Sequence, residues 1–170
     1  MWNKKFLSIF VPIMFLLINQ NKNEFMKRFL IFAAAICMAF VVQAQKEMLG
    51  EWKTIDDKTG KEKSIVRIFK ATNGLYYGKI EQLLQHSADG KPRLCVECQG
   101  ADKNKPMVGL VIVRDMKFEN GSLVGGTILD PANGKTYHAS IELESATGKL
   151  KVRGSLDKHG LFGRSQFWVR

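Results

Sequence analysis

The chain has 170 residues, 26 basic against 16 acidic for a net charge of +10, with 45% hydrophobic residues and three cysteines. These totals mislead until the N-terminal segment is set aside, because residues 45–170 alone hold 21 basic and 15 acidic residues, a net +6. Those charges are scattered, which is the pattern of a solvated surface and not of a nucleic-acid-binding patch.

From Met26 the chain reads Lys27-Arg28, an apolar run from Phe29 to Val42, then Gln43-Ala44. This is the basic, apolar and small-residue order of a cleavable signal peptide, predicted over residues 26–44 with the cut after Ala44. The run is shorter than the roughly 20 residues that cross a bilayer. Lipidation is not expected, since Cys37 lies deep in the run behind Ile36. Ahead of Met26 a second apolar stretch, Phe6 to Ile18, is broken by Ser8 and Pro12. Residues 1–25 are read as an upstream over-extension of the reading frame, the rival reading being an N-terminal anchor. Only an uncleaved signal would hold the protein in a membrane. Residues 45–170 then form one exported domain, periplasmic or secreted, expected to be a monomer. Its length suits a single core that buries about two-thirds of the unfolded surface.

Along this domain, turn signals recur: Asp56-Asp57-Lys58-Thr59-Gly60, Thr72-Asn73-Gly74, Asn120-Gly121, Asp130-Pro131-Ala132-Asn133-Gly134, Ala146-Thr147-Gly148 and Asp157-Lys158-His159-Gly160. Strands are predicted between them, near Gly50–Ile55, Ile65–Lys70, Tyr76–Leu84, Val108–Val113 and Val124–Asp130. Further on, Tyr137, Ala139, Ile141 and Leu143 alternate with polar neighbours, and Leu150, Val152 and Gly154 alternate with Lys149, Lys151 and Arg153. In the last strand Phe167 and Val169 alternate with Gln166, Trp168 and Arg170. Residues 85–106 break the rhythm and read as a long loop with room for one helical turn. About eight strands joined by hairpin-length turns make an all-β antiparallel meander, which closes into an up-and-down barrel because closure removes exposed edges.

Cys95-Val96-Glu97-Cys98 is the most conspicuous local feature. With Cys37 removed, the mature chain keeps an even pair, and in an oxidising compartment the default is a Cys95–Cys98 disulfide that stiffens the loop. Thiol exchange is disfavoured because redox CxxC pairs open a helix in a βαβ setting. Zinc would need His86, His138 or His159 to complete the ligand set, so no metal or cofactor is expected. The chain carries no nucleophile elbow, HExxH or phosphate loop, and no catalytic residue is assigned.

Gly50-Glu51-Trp52 on the first strand, with Arg164 and Arg170 near the last, resembles the closed end of lipocalin-like barrels. There an arginine over an indole face covers the floor by cation–π attraction. Barrel closure is therefore assigned to Trp52 with Arg164 or Arg170. More residues carry a wider resemblance: Asp56-Asp57, Thr59-Gly60, Ser64-Ile65-Val66-Arg67-Ile68, Tyr77-Gly78-Lys79-Ile80, and Cys95 with Cys98. Gly126, Ile128-Leu129-Asp130-Pro131, Asn133-Gly134-Lys135-Thr136-Tyr137, Leu150-Lys151-Val152-Arg153-Gly154 and Gly163-Arg164-Ser165-Gln166 with Trp168 extend it. Together they resemble the bacterial exported family called domain of unknown function 2147. The resemblance implies an envelope protein with a calycin-like barrel and brings no activity with it.

An eight-stranded barrel either fills with side chains or holds one small ligand. The first functional expectation is non-enzymatic binding of a small apolar or amphipathic molecule within the barrel. Its walls would be Val66, Ile68, Gly78, Ile80, Tyr137, Ala139 and Ile141, over a floor at Trp52. Gly78 would leave room, and Arg67, Tyr76 and Arg153 would orient a polar head group. The second is a filled barrel whose outside binds an envelope component. A redox or metal role of the cysteine pair is the third.

Overall fold

The computed structural model describes residues 26–28, 31, 47–57, 59–85 and 90–170. The chain divides into two compact units, Met1–Val42 and Gln43–Arg170. In the first, Met26–Arg28 and Ile31 are helical, and the remainder of the signal-peptide reading lies outside the described residues. No helix among the described residues is long and apolar enough to cross a membrane.

The second unit is an eight-stranded antiparallel sheet in strict sequence order. Its strands are β1 Gly50–Ile55, β2 Glu62–Lys70, β3 Tyr76–Leu83, β4 Val111–Glu119, β5 Ser122–Asp130, β6 Lys135–Glu144, β7 Lys149–Ser155 and β8 Gly163–Trp168. Lys53 of β1 and Val169, just past β8, exchange two backbone hydrogen bonds of 2.7 and 3.0 Å, which bring the two ends of the sheet together. The result is a nearly closed up-and-down barrel, the fold read from the sequence. The β1–β2, β3–β4, β5–β6 and β7–β8 connections lie at one end, and the three tight turns between the other strand pairs lie at the opposite end.

Alternation decides which face is buried. Trp52, Val66, Ile68, Ile80, Ala139, Ile141, Leu150 and Val152 point inward and are at most 7% exposed, while their sequence neighbours face solvent. In β8 the inward residue is Trp168, 1% exposed and paired across from Leu150, and Phe167 is 42% exposed. The sequence reading had put Phe167 and Val169 on the apolar face. The large indole goes inside because it covers more apolar area at the barrel floor.

The fourth strand also departs from expectation, running Val111–Glu119 instead of Val108–Val113. Its alternation is broken by a bulge: Tyr76 pairs with Met116 and Gly78 with Val113, so three steps of β4 oppose two of β3, and Asp115 takes φ +56°. A second bulge sits at the same level of β5, where Leu123 pairs with Ile141 and Gly126 with Ala139. Bulges at one level of adjacent strands bend the sheet, and here they help curl it shut. Gly126 is required at that bend, because a Cβ would fall 2.2 Å from the Arg114 carbonyl oxygen and 2.5 Å from Met116 Sδ.

Candidate functional site

The closed end is built around Trp52. Its indole N–H donates to the Met48 carbonyl at 3.0 Å, Met48 is itself buried, and the Arg170 guanidinium lies 4.4 Å from the ring centroid. The same guanidinium donates to the Glu47 and Leu49 carbonyls, so Arg170 holds the chain entering β1 while covering the floor. Arg164 does not share this position. It starts β8 at the other end, where it and Gln166 both donate to the Asp57 carboxylate in the β1–β2 turn. The reason is direction: β8 descends from the open end, and only its last residues reach the floor.

The closed half of the interior is occupied. Trp168, Tyr76, Met116, Leu123 and Ile68 are all buried there, with Val113 buried above them. Gly78 faces inward, but the space over it belongs to its neighbours. A Cβ there would lie 2.9 Å from Val113 Cβ and Cγ2 and 3.3 Å from Val66 Cγ1. The missing side chain therefore admits Val113, not a ligand. Tyr76 is buried beside it, and its hydroxyl, like Trp168 Nε1, is a buried polar group without a hydrogen-bond partner among the described residues.

The remaining expected contacts separate. Arg67 pairs in register with Glu51 and Lys79 and is exposed on the outer face. Arg153 also lies on the outer face, opposite Ser165, with its guanidinium donating to the Gly160 carbonyl and to Ser165 Oγ. Neither arginine enters the lumen, because each sits one residue out of phase with the inward set. Tyr137 does face inward, half-buried at the open end, with its hydroxyl accepting from Asn133 Nδ2 at 3.1 Å. The structure thus brings Trp52, Tyr76 and Gly78 into the packed interior, leaves Tyr137 near the mouth, and puts Arg67 and Arg153 outside.

The β3–β4 loop connects strand tops, so it belongs to the open end. Cys95 and Cys98 form a disulfide within it, and both are fully buried. The loop is pinned by Cys95 N–H to the Lys105 carbonyl, Asn104 N–H to the Cys95 carbonyl and a single 3-10 turn at Gly100–Asp102. It reaches the β5–β6 turn: Cys95 Sγ lies 3.8 Å from the Pro131 carbonyl, and a Cβ on Gly134 would overlap the Glu97 carbonyl oxygen. With φ +68°, Gly134 meets both demands as no other residue could. Asp102 anchors the loop to β4 through Arg114 at 2.6 Å. The Arg114 hydrogen bond holds the Asp102 carboxyl below the usual carboxylate range against the opposing effect of its partial burial, with Lys105 adding to the pull.

Between this loop and the upper end of β3 lies a cleft of about 190 Å³. Leu83, Pro92, Pro106 and Val108 give it apolar walls, and Gln85, Lys91 and Arg93 also line it. This cleft is not legible in the sequence, because alternation marks inward contacts on strands and a polar loop carries no such signal. Of the histidines weighed as zinc ligands, His138 lies on β6 and His159 in the β7–β8 loop, while His86 is outside the described residues. Among the described residues no cluster of three or more His, Cys, Asp or Glu side chains is placed to hold a metal ion.

Comparison with known proteins agrees with this architecture. One solved structure, titled as protein HP1028 from the human pathogen Helicobacter pylori and as belonging to the lipocalin family, superposes with a TM-score of 0.61 at 26% identity. The match covers 72% of this chain and 82% of that one. No curated protein matches. The profile of a family described as an uncharacterized protein conserved in bacteria, DUF2147, matches residues 50–170, the entire barrel from the first residue of β1, and the chain belongs to that family.

Proposed function

We propose that the protein is exported and non-enzymatic, and that it binds a small amphipathic anion at the open end of its barrel. The observation that carries this reading is the cleft between β3 and the disulfide-bearing loop, with its apolar walls and Arg93 in its lining. Small-molecule sites are mostly apolar with a few placed polar groups, and this lining has that composition. At about 190 Å³ the cleft is smaller than the roughly 300–1,000 Å³ of typical ligand sites. It suits one end of a molecule, with the rest lying across the mouth. Export is supported by the basic, apolar and small-residue order of residues 26–44.

One observation favours a second reading, an interaction module with a filled barrel. Val113 and Val66 occupy the space over Gly78. Titration with anilinonaphthalene sulfonate, an amphipathic anion whose fluorescence rises in apolar surroundings, separates the readings. Saturable binding is expected, weakened about tenfold or more by the pair Arg93→Glu and Val108→Glu and kept by folded Gly78→Leu. Lack of saturable binding to the unaltered chain would leave the filled-barrel reading standing. Loss of binding in folded Gly78→Leu alone would move the site into the lumen.

A further inference from the structure

Seven large apolar side chains of the barrel unit are exposed among the described residues, and they are distributed unevenly. Leu94, Val96 and Val108 belong to the β3–β4 loop and Leu156, Leu161 and Phe162 to the β7–β8 loop; Phe167 alone lies on the barrel wall. Both loops are at the open end by topology. The three turns at the closed end, after β2, β4 and β6, expose none of the seven. Leu156, Leu161 and Phe162 are 72, 76 and 73% exposed. Apolar groups gathered on one end of a molecule mark an interaction surface.

The β7–β8 tip is built, not frayed. The Asp157 carboxylate accepts the backbone N–H groups of Leu161 and Phe162 at 3.0 and 2.8 Å, and Leu156 N–H donates to the Phe162 carbonyl at 2.9 Å. Cations stand at the same end: Lys158 on the tip, and Arg93 and Lys103 in the β3–β4 loop, all exposed. Most carboxylates at this end are occupied within the fold. Asp57 accepts from Arg164 and Gln166, Asp102 from Arg114 and Lys105, Asp130 from Ala132 N–H and Asp157 from its own loop, while Glu97 is exposed.

From this we infer that the open end docks on the surface of an anionic phospholipid bilayer, with Leu161 and Phe162 entering the interfacial layer and the cations of this end meeting lipid phosphates. Apolar tips alone would equally fit a second copy of the chain. The exposed cations of this end, and the excess of 21 basic over 15 acidic residues in 45–170, are what an anionic lipid surface attracts and what a like-charged second copy repels. The inference does not rest on the cleft holding a ligand. It would put the mouth of the barrel against a reservoir of amphipathic molecules.

The test is a tryptophan placed at the tip, Phe162→Trp in the full chain, compared with the unaltered chain as background and with Thr147→Trp at the closed end. Vesicles of phosphatidylglycerol should shift the added emission at 162 to shorter wavelength, and brominated acyl chains should quench it. Phosphatidylcholine vesicles should do neither, and the probe at 147 should respond to neither lipid. Replacing Leu161→Asp and Phe162→Asp together should weaken partitioning onto phosphatidylglycerol vesicles by about tenfold or more. Equal responses at 162 and 147, no response at 162, or an equal response on both lipids would overturn the proposal. So would a blue shift that appears without lipid as the chain is concentrated, which would assign the surface to self-association.

Discussion

Gly78 shows how a single inward residue can be read two ways. A strand glycine that faces the interior leaves a gap, and only the neighbours decide whether a ligand or a side chain fills it. Here Val113 Cβ would lie 2.9 Å from an added Cβ, so Gly78→Leu must overpack the core. A cost of about 1–3 kcal/mol is expected, measured as a lower urea midpoint with unchanged slope. An unchanged midpoint would mean that the space over Gly78 is open after all. The same residue scale sets the limit of what the sequence made legible at the site. Trp52 and an arginine above it could be foreseen from their chemistry, and Arg170 covers the ring. Which of two arginines would do so depended on the direction of β8, and whether Arg67 and Arg153 pointed in or out depended on one residue of register. Composition carries neither.

At the scale of elements, strands with unbroken alternation were legible and the bulged ones were not. β6 and β7 pair without a break in register, whereas the Arg114-Asp115 insertion in β4 shifts that strand's phase and hid its true span. The loop before β4 was legible only as an interruption. Nothing in a polar stretch with two cysteines says that it folds back over the β5–β6 turn. Its anchoring makes it sensitive to acid. Asp102 is held below the ordinary carboxylate range by Arg114. A depressed folded value contributes stability that is fully present above the unfolded pKa and is lost as pH falls through the folded one. The contact should therefore weaken below about pH 4. Hydrogen exchange at the amides of Cys95, Asn104 and Lys105 should accelerate in that range while exchange in β6 and β7 does not. Asp102→Asn should show faster exchange in the loop already at neutral pH and no acid step at this anchor. An acid step unchanged in that variant would trace the sensitivity to another group.

For the whole molecule, the decisive contact joins the two ends of the barrel sequence. Seven strand pairs are local hairpins or, across the long loop, near neighbours, but β1 and the segment after β8 meet through Lys53 and Val169 alone in the backbone ladder. Side chains reinforce that seam at both ends: Arg170 over Trp52 at the floor, and Arg164 with Gln166 on Asp57 at the mouth. Closure across so long a separation has a chain-entropy cost that no other pairing in the fold carries to the same degree, which makes the seam the place where the barrel opens first. Val169→Pro tests this with little change in side-chain bulk. It removes the N–H that donates to the Lys53 carbonyl at 3.0 Å, and it leaves that carbonyl to find water at the edge of an opened sheet. A loss of about 1–3 kcal/mol is expected, with exchange accelerated at Lys53 and through β1 and β8 before β4 to β6 respond. If exchange instead rises uniformly across all eight strands, the seam is not an independent opening unit and the barrel unfolds only as a whole.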